Sequence, residues 1–162
     1  MLGALVQPRV VAAVFRTGWN GWCTARRFQE RNCPWDMCLF GCGREAKDSI
    51  EHYCRCRVVR QFRATSLGIC RDWLLPLWLG VDDAQYVQDM LMLAAFGAYS
   101  VYRAFNAARQ VGGFPAHEAL RAMEQSLREA VAGHAPSERT LASVWQRPGP
   151  GLRLRPPGAR AA

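Results

Sequence analysis

Lysine is almost missing from this 162-residue chain: of its 21 basic residues only Lys47 is a lysine. Arginine therefore carries nearly all the positive charge, a pattern that biased base composition alone also produces. A long apolar run is missing too. No stretch reaches the roughly 18 residues of a membrane span, so neither a membrane-spanning helix nor a membrane partner is expected. The longest, MLMLAAFGAYSVY at 90–102, is closed by Asp89 and Arg103 and reads as a buried helix. The opening MLGALVQPRVVAAVF lacks the layout of a secretory signal, because Pro8 and Arg9 interrupt its apolar residues. The expected location is intracellular, nucleus or cytoplasm, where thiols stay reduced. There is no internal repeat. The two zinc-hydrolase patterns, H-x-E and HExxH, are absent, since Tyr53 and Cys54 follow His52.

Half of the residues are hydrophobic, enough for one real core. The formal net charge is +8 with an isoelectric point near 9.6, which points to an anionic partner, most commonly nucleic acid. The charge is uneven. Residues 22–63 carry nine basic and five acidic residues, and residues 134–162 carry five arginines and one glutamate. Residues 64–133 carry five arginines and seven acids, so the middle is slightly acidic.

The apolar periodicity predicts a mostly α protein of about five helices. A first helix spans residues 9–28, opened by Pro8, with Val11, Phe15, Gly18/Trp19 and Trp22 at helical spacing and a weak point near Asn20. Residues 29–48 are rich in proline, glycine and cysteine and read as irregular. Asp48-Ser49-Ile50-Glu51 matches a capping box and starts a helix reaching about Ala64. A short helix around 71–79 is interrupted by Pro76. A long helix runs from Asp82/Asp83 to about Gln110, where Ala94, Ala95, Gly97 and Ala98 allow close approach of a neighbour. Gly112-Gly113 ends it. The last helix starts at Pro115 or Ala116 and puts Leu120, Met123, Leu127 and Val131 on one face. Proline, glycine and arginine after Gly133 predict a disordered basic tail. The expected organisation is a helix plus metal module at 1–66, a helical unit packed against it at 67–133, and the tail at 134–162.

Seven cysteines cluster toward the first half of the chain. In CLFGCGREAKDSIEHYCRC, Cys38, Cys42, His52 and Cys56 have the spacing C-x3-C-x9-H-x3-C. A tetrahedral zinc ion takes four such donors. Gly41 and Gly43 suit a tight turn around a metal. His52 and Cys56, four residues apart, share one helix face. Four protein ligands leave no open position, so the zinc (Zn2+) is structural and the chain is not expected to be an enzyme. Cys33 is an alternative to Cys38, and on a strand Cys54 would join the site; the capping signal favours the helix. Cys23 and Cys70 read as buried thiols. Glu51 reads as the capping carboxylate.

The run from Cys38 to Cys56 resembles the zinc-binding segment near the C-terminus of non-LTR (LINE-like) retroelement reverse transcriptases, written C…C…E-H…C. Cys38, Cys42, Glu51-His52 and Cys56 carry the match, and NGWCTARRFQ resembles the lead-in to that segment. The resemblance covers about residues 10–65. This chain has H-x3-C where many relatives have H-x4-C. No aspartate-rich polymerase motif is visible, and Asp82-Asp83 reads as a helix N-cap. The resemblance implies a non-catalytic nucleic-acid-binding zinc module, with element RNA or target DNA as partner. Arg26, Arg27, Arg31, Arg55, Arg57, Arg60 and Arg63 are the expected phosphate contacts. Trp22, Phe28, Trp35, Phe40 and Tyr53 are candidates for base stacking where exposed, although in so small a module most are needed as core. The alternatives are a zinc-stabilised protein-interaction scaffold, self-associating through 82–132, and an inactive element remnant.

Overall fold

The chain is mostly helical in a computed structural model that describes residues 2–28, 37–43, 46–69, 88–132 and 134–146. Its helices are α1 (Leu2–Leu5), α2 (Pro8–Gly18), α3 (Ala25–Phe28), α4 (Ile50–Arg55), α5 (Arg57–Leu67), α6 (Gln88–Val111), α7 (Ala116–Val131) and α8 (Ala135–Gln146). Among the described residues there is no strand, only an isolated antiparallel bridge between Met37 and Lys47.

Residues that cannot continue a helix set most of the boundaries. Pro8 sits in the first turn of α2, where its missing N–H is one that the helix leaves unpaired anyway. α2 stops at Gly18. The Trp19 N–H bonds back to the Phe15 carbonyl, and Asn20 takes a positive φ of 51°, which asparagine tolerates better than most residues. The single helix expected over 9–28 is therefore α2, a break and α3. Gly68, at φ 67°, ends α5 with the Ile69 N–H bonded to the Arg63 carbonyl at 3.1 Å. This is a left-handed glycine cap, closed by a hydrogen bond between residues six apart. Gly112 and Gly113, at φ 83° and 115°, end α6 as expected.

The helix expected from residue 48 to 64 is two helices. Cys56 has φ −59° and ψ 130°, so it closes α4 and opens α5. The first part of the expected tail is also helical. Pro136 falls in the first turn of α8, where proline is compatible with a helix, and Ser137 and Leu141 are buried. Residues 147–162, the expected short helix at 71–79 and the start of the long helix lie outside the described residues.

α6 is the central element, packed mainly against α7 and α2 and touched by α1, α5 and α8. Met92, Leu93, Phe96, Tyr99, Val101 and Phe105 are all buried along it, as befits a helix covered on several sides. Its small residues do permit close approach: a Cβ on Gly97 would stand 3.2 Å from Leu67 Cδ1. Residues on both sides of position 66 share one core. On α7, Met123, Leu127 and Val131 are buried, as expected, and Leu120 packs against the core from its edge.

α2 is turned differently from its expected orientation. Val10, Ala13 and Thr17 face inward, while Phe15 and Trp19 are exposed. Apolar residues lie on both sides of this helix, so periodicity alone cannot choose between them. Small inward residues let α2 sit close to α6. Trp22 instead enters the core after the break. Its ring lies 5.1–5.6 Å from those of Tyr53, Tyr102 and Phe105, and its indole N–H donates to Thr17 Oγ1 at 3.0 Å.

These opposite environments predict opposite costs. Trp22→Ala should destabilise the chain by about 3–5 kcal/mol, read as a lower denaturant midpoint. Trp19→Ala should stay within about 0.5 kcal/mol of the parent. Equal losses in the two variants would contradict this packing.

Candidate metal centre

The first pair of donors stands on a knuckle. The Met37–Lys47 bridge and a 2.8 Å hydrogen bond from the Cys38 N–H to the Ala46 carbonyl close its base. Gly41 and Gly43 turn the chain with φ of 55° and 69°. Gly41 is also a close approach: a Cβ there would lie 2.9 Å from the Phe114 carbonyl oxygen and 3.1 Å from the Ala116 nitrogen. The Phe114 N–H donates to the Leu39 carbonyl at 2.7 Å. The turn between α6 and α7 therefore clamps the knuckle.

The second pair stands on α4. Its N-cap is Ser49, whose hydroxyl accepts from the His52 N–H at 3.1 Å. The cap is thus one residue later than the expected Asp48. Asp48 is buried and does another job. One carboxylate oxygen accepts from the Ala25 N–H at 2.8 Å, the other from the Tyr53 hydroxyl at 2.7 Å. Burial raises its pKa, and those two hydrogen bonds work against the rise. Glu51 is exposed in the first turn. Its own backbone N–H holds its carboxyl below the ordinary range, and Arg26 stands 3.4 Å away.

The four expected donors converge. The ligand atoms of Cys38, Cys42, His52 and Cys56 all lie within 4.8 Å of one another. The Cys38 and Cys56 sulfurs are 3.8 Å apart, and Cys42 Sγ is 3.6 Å from His52 Nε2. Cys42 and Cys56 are buried, while Cys38 and His52 are partly so. This group can hold a metal ion. The helix break at Cys56 contributes directly. Its pKa is lowered, first by the Cys38 thiol that donates to it, then by His52 and by the Val59 and Val58 backbone N–H groups. A thiolate at the start of a helix is stabilised by such unpaired donors. Cys38 shifts the opposite way, raised by that hydrogen bond and by burial.

Cys54 is buried and outside the group, and burial pushes its thiol up to about 11. Cys23 is only half-buried, so the expectation of a core thiol is corrected there. Cys33 and Cys70 lie outside the described residues.

The expected phosphate contacts divide. Arg26, Arg27, Arg55, Arg57 and Arg60 are exposed. Arg63 is not: it is 3% exposed. The spacing shows why, because Val59, Arg63 and Leu67 fall four apart on the inward face of α5. Arg31 lies outside the described residues. Of the aromatics, Trp22, Phe40 and Tyr53 are buried and form one ring cluster with Phe105, which removes them as base-stacking surfaces. Trp35 and the Phe28 side chain lie outside the described residues. Most of residues 92–101, part of the expected protein-contact segment, is buried in the chain's own core. No helix among the described residues is long and apolar enough to cross a membrane.

Comparison with known proteins gives no matching family model, no matching curated protein and no matching solved structure.

Cys42→Ser or His52→Ala should abolish metal binding and lower the melting temperature, because folding and metal binding are coupled at such sites. Cys23→Ser should leave both unchanged. Native mass spectrometry with and without a chelator, beside circular dichroism melts, reads both effects. Intact metal binding in Cys42→Ser would remove that residue from the ligand set. A thiol-alkylating reagent near neutral pH should label Cys23 well before Cys54, since the Cys54 thiol is buried and raised. Equal labelling in the folded protein would contradict that burial.

Proposed function

We propose that this chain is a non-catalytic nucleic-acid-binding module whose knuckle is stapled by a structural zinc ion. The convergence of Cys38, Cys42, His52 and Cys56 is the observation that carries the proposal. A tetrahedral zinc at about 2.3 Å from sulfur and about 2.0–2.1 Å from nitrogen spaces two thiolates about 3.8 Å apart and a thiolate and an imidazole about 3.6 Å apart. The two measured pairs, at 3.8 and 3.6 Å, match those spacings. Three sulfurs and one imidazole suit zinc better than hard cations, which take oxygen ligands. With four protein donors no position remains for a reacting water, so the zinc acts by holding the knuckle to α4.

The nucleic-acid part is supported by where the cations stand. Arg55, Arg57 and Arg60 are exposed on α4 and α5, the two helices that meet at Cys56, and Arg26 and Arg27 are exposed on α3. The Arg57 guanidinium also reaches over the knuckle, so that a Cβ on Gly43 would meet it at 3.0 Å. Fixing the knuckle therefore also positions cations for a phosphate backbone. The resemblance of the Cys38–Cys56 run to the zinc segment of non-LTR reverse transcriptases supports the same reading, with RNA or DNA as ligand.

Titration of the zinc-loaded protein with RNA and DNA oligonucleotides at several salt concentrations tests this. Affinity should fall linearly on a log–log plot against salt. The combined Arg55→Ala, Arg57→Ala and Arg60→Ala variant should keep its zinc and its melting temperature, bind more weakly and show a slope shallower by up to about 0.9 per lost duplex phosphate contact. Unaltered binding in that variant would move the contact surface elsewhere. A protein with no zinc, or with no affinity for either polymer, would end the proposal.

A further inference from the structure

Two aromatic residues near the C-terminal end of α2, Phe15 and the cap residue Trp19, stand at the surface. Phe15 is 52% exposed and Trp19 is 78% exposed. Their rings stack on each other, with centroids 5.2 Å apart and planes within 17°. Phe15 covers one face of the indole. The exposure of Trp19 leaves much of the rest of its surface to solvent. Isolated apolar residues on a surface are ordinary, but two aromatic rings already stacked outward are a platform that another flat ring can extend.

The surroundings specify the charge of what would land there. The first 21 residues contain Arg9 and Arg16 and no acidic residue. Arg9 and Arg16 lie on one stripe of α2, at i and i+7, and Trp19 follows as the cap residue at its C-terminal end. That stripe borders a cleft of about 300 Å³ whose lining includes Arg9, Arg16, Tyr99, Tyr102, Arg103 and Glu129. Arg16 donates to the Tyr102 hydroxyl at 2.7 Å, and its guanidinium also lies 5.9 Å from the Tyr102 ring centroid. Arg9 donates to the Glu129 backbone carbonyl. Both arginines are thus held by neutral groups that fix their position without cancelling their charge. The one carboxylate in the cleft, Glu129, pairs with Arg103 at 3.8 Å.

We propose that this face binds the unpaired bases of a single-stranded nucleic acid, a base stacking on Trp19 and backbone phosphates meeting Arg16 and Arg9. The inference rests on the nucleic-acid reading above and adds a site and a strand preference to it. Arg9 and Arg16 are seven residues apart, about 10 Å along the helix, which is about three steps of a stacked strand at about 3.4 Å each. Duplex bases do not present a free face to an exposed indole, whereas unpaired ones do. A second copy of this chain is the poorer occupant, because its own Arg9 and Arg16 would meet these two across the contact.

The test uses the full-length, zinc-loaded protein with a labelled single-stranded oligothymidylate and a duplex of equal length. Trp19→Ala should weaken binding to the single strand about ten-fold, in line with the loss of one base stack. It should leave duplex affinity, salt slope and melting temperature at parental values. Trp19→Phe should restore most of the single-strand affinity, which a merely steric role would not require. Parental single-strand affinity in Trp19→Ala, with weakened binding in the combined Arg55, Arg57 and Arg60 variant, would overturn this inference and leave the broader proposal standing. Failure of the parent to bind either oligonucleotide would remove both. Loss in Trp19→Ala of self-association in sedimentation, or of binding to phosphatidylserine vesicles, with single-strand affinity unchanged, would make the face a protein or lipid surface and also overturn it.

Discussion

The hydrogen bond from Tyr53 to Asp48 is the joint on which the rest of the structure depends. The Tyr53 hydroxyl donates to Asp48 and accepts from the Leu39 N–H at 3.2 Å. Asp48 in turn receives the Ala25 N–H, while the Tyr53 ring packs on Trp22, Phe40 and Phe105. One side chain pair thereby ties the knuckle, the start of α3, α4 and α6 together. A buried carboxylate is costly unless its lone pairs are used. Here three separate segments must be in place before they are. The same burial and the neighbouring Asp48 charge raise the Tyr53 pKa far above its ordinary value, which keeps the hydroxyl a donor.

The candidate metal centre is built on that joint. Leu39, held by Tyr53 on one side and by Phe114 on the other, separates Cys38 from the turn that presents Cys42. His52 immediately precedes Tyr53 on α4, so fixing one places the other. The break at Cys56 then points the fourth donor back toward the knuckle and puts it at the head of α5. A metal ion held by these four donors would link the knuckle to α4 and to the head of α5.

What faces outward follows from what had to face inward. The core takes Trp22, Phe40 and Tyr53 because it lies between the knuckle and α6, and this leaves Phe15 and Trp19 as the exposed aromatics among the described residues. Arg63 is drawn in with Val59 and Leu67, while Arg55, Arg57 and Arg60 remain outside. The expected set of phosphate contacts is therefore narrowed by Arg63, and exposed arginines on the two helices that share Cys56 stand beside others on α2, such as Arg9 and Arg16.

Much was determined by the sequence itself, where the cause is local. Gly41 and Gly43 permit a turn closed to most residues, Pro8 opens α2, Gly112 and Gly113 stop α6, and the C-x3-C and H-x3-C spacings keep the donors of each pair close along the chain. These depend on φ, ψ and near neighbours, so a few residues suffice to write them. Only the tertiary structure decided the break at Cys56, the shift of the cap from Asp48 to Ser49, the helix in the first part of the tail, and the side of α2 that faces the core. Each of those turns on a long-range partner: Ala25 and Leu39 for the Asp48–Tyr53 pair, the knuckle thiols for Cys56, the shared core for Leu141 of α8, and α6 for α2. Periodicity reports that a helix has an apolar side, but when both sides qualify, the neighbour that packs more closely makes the choice.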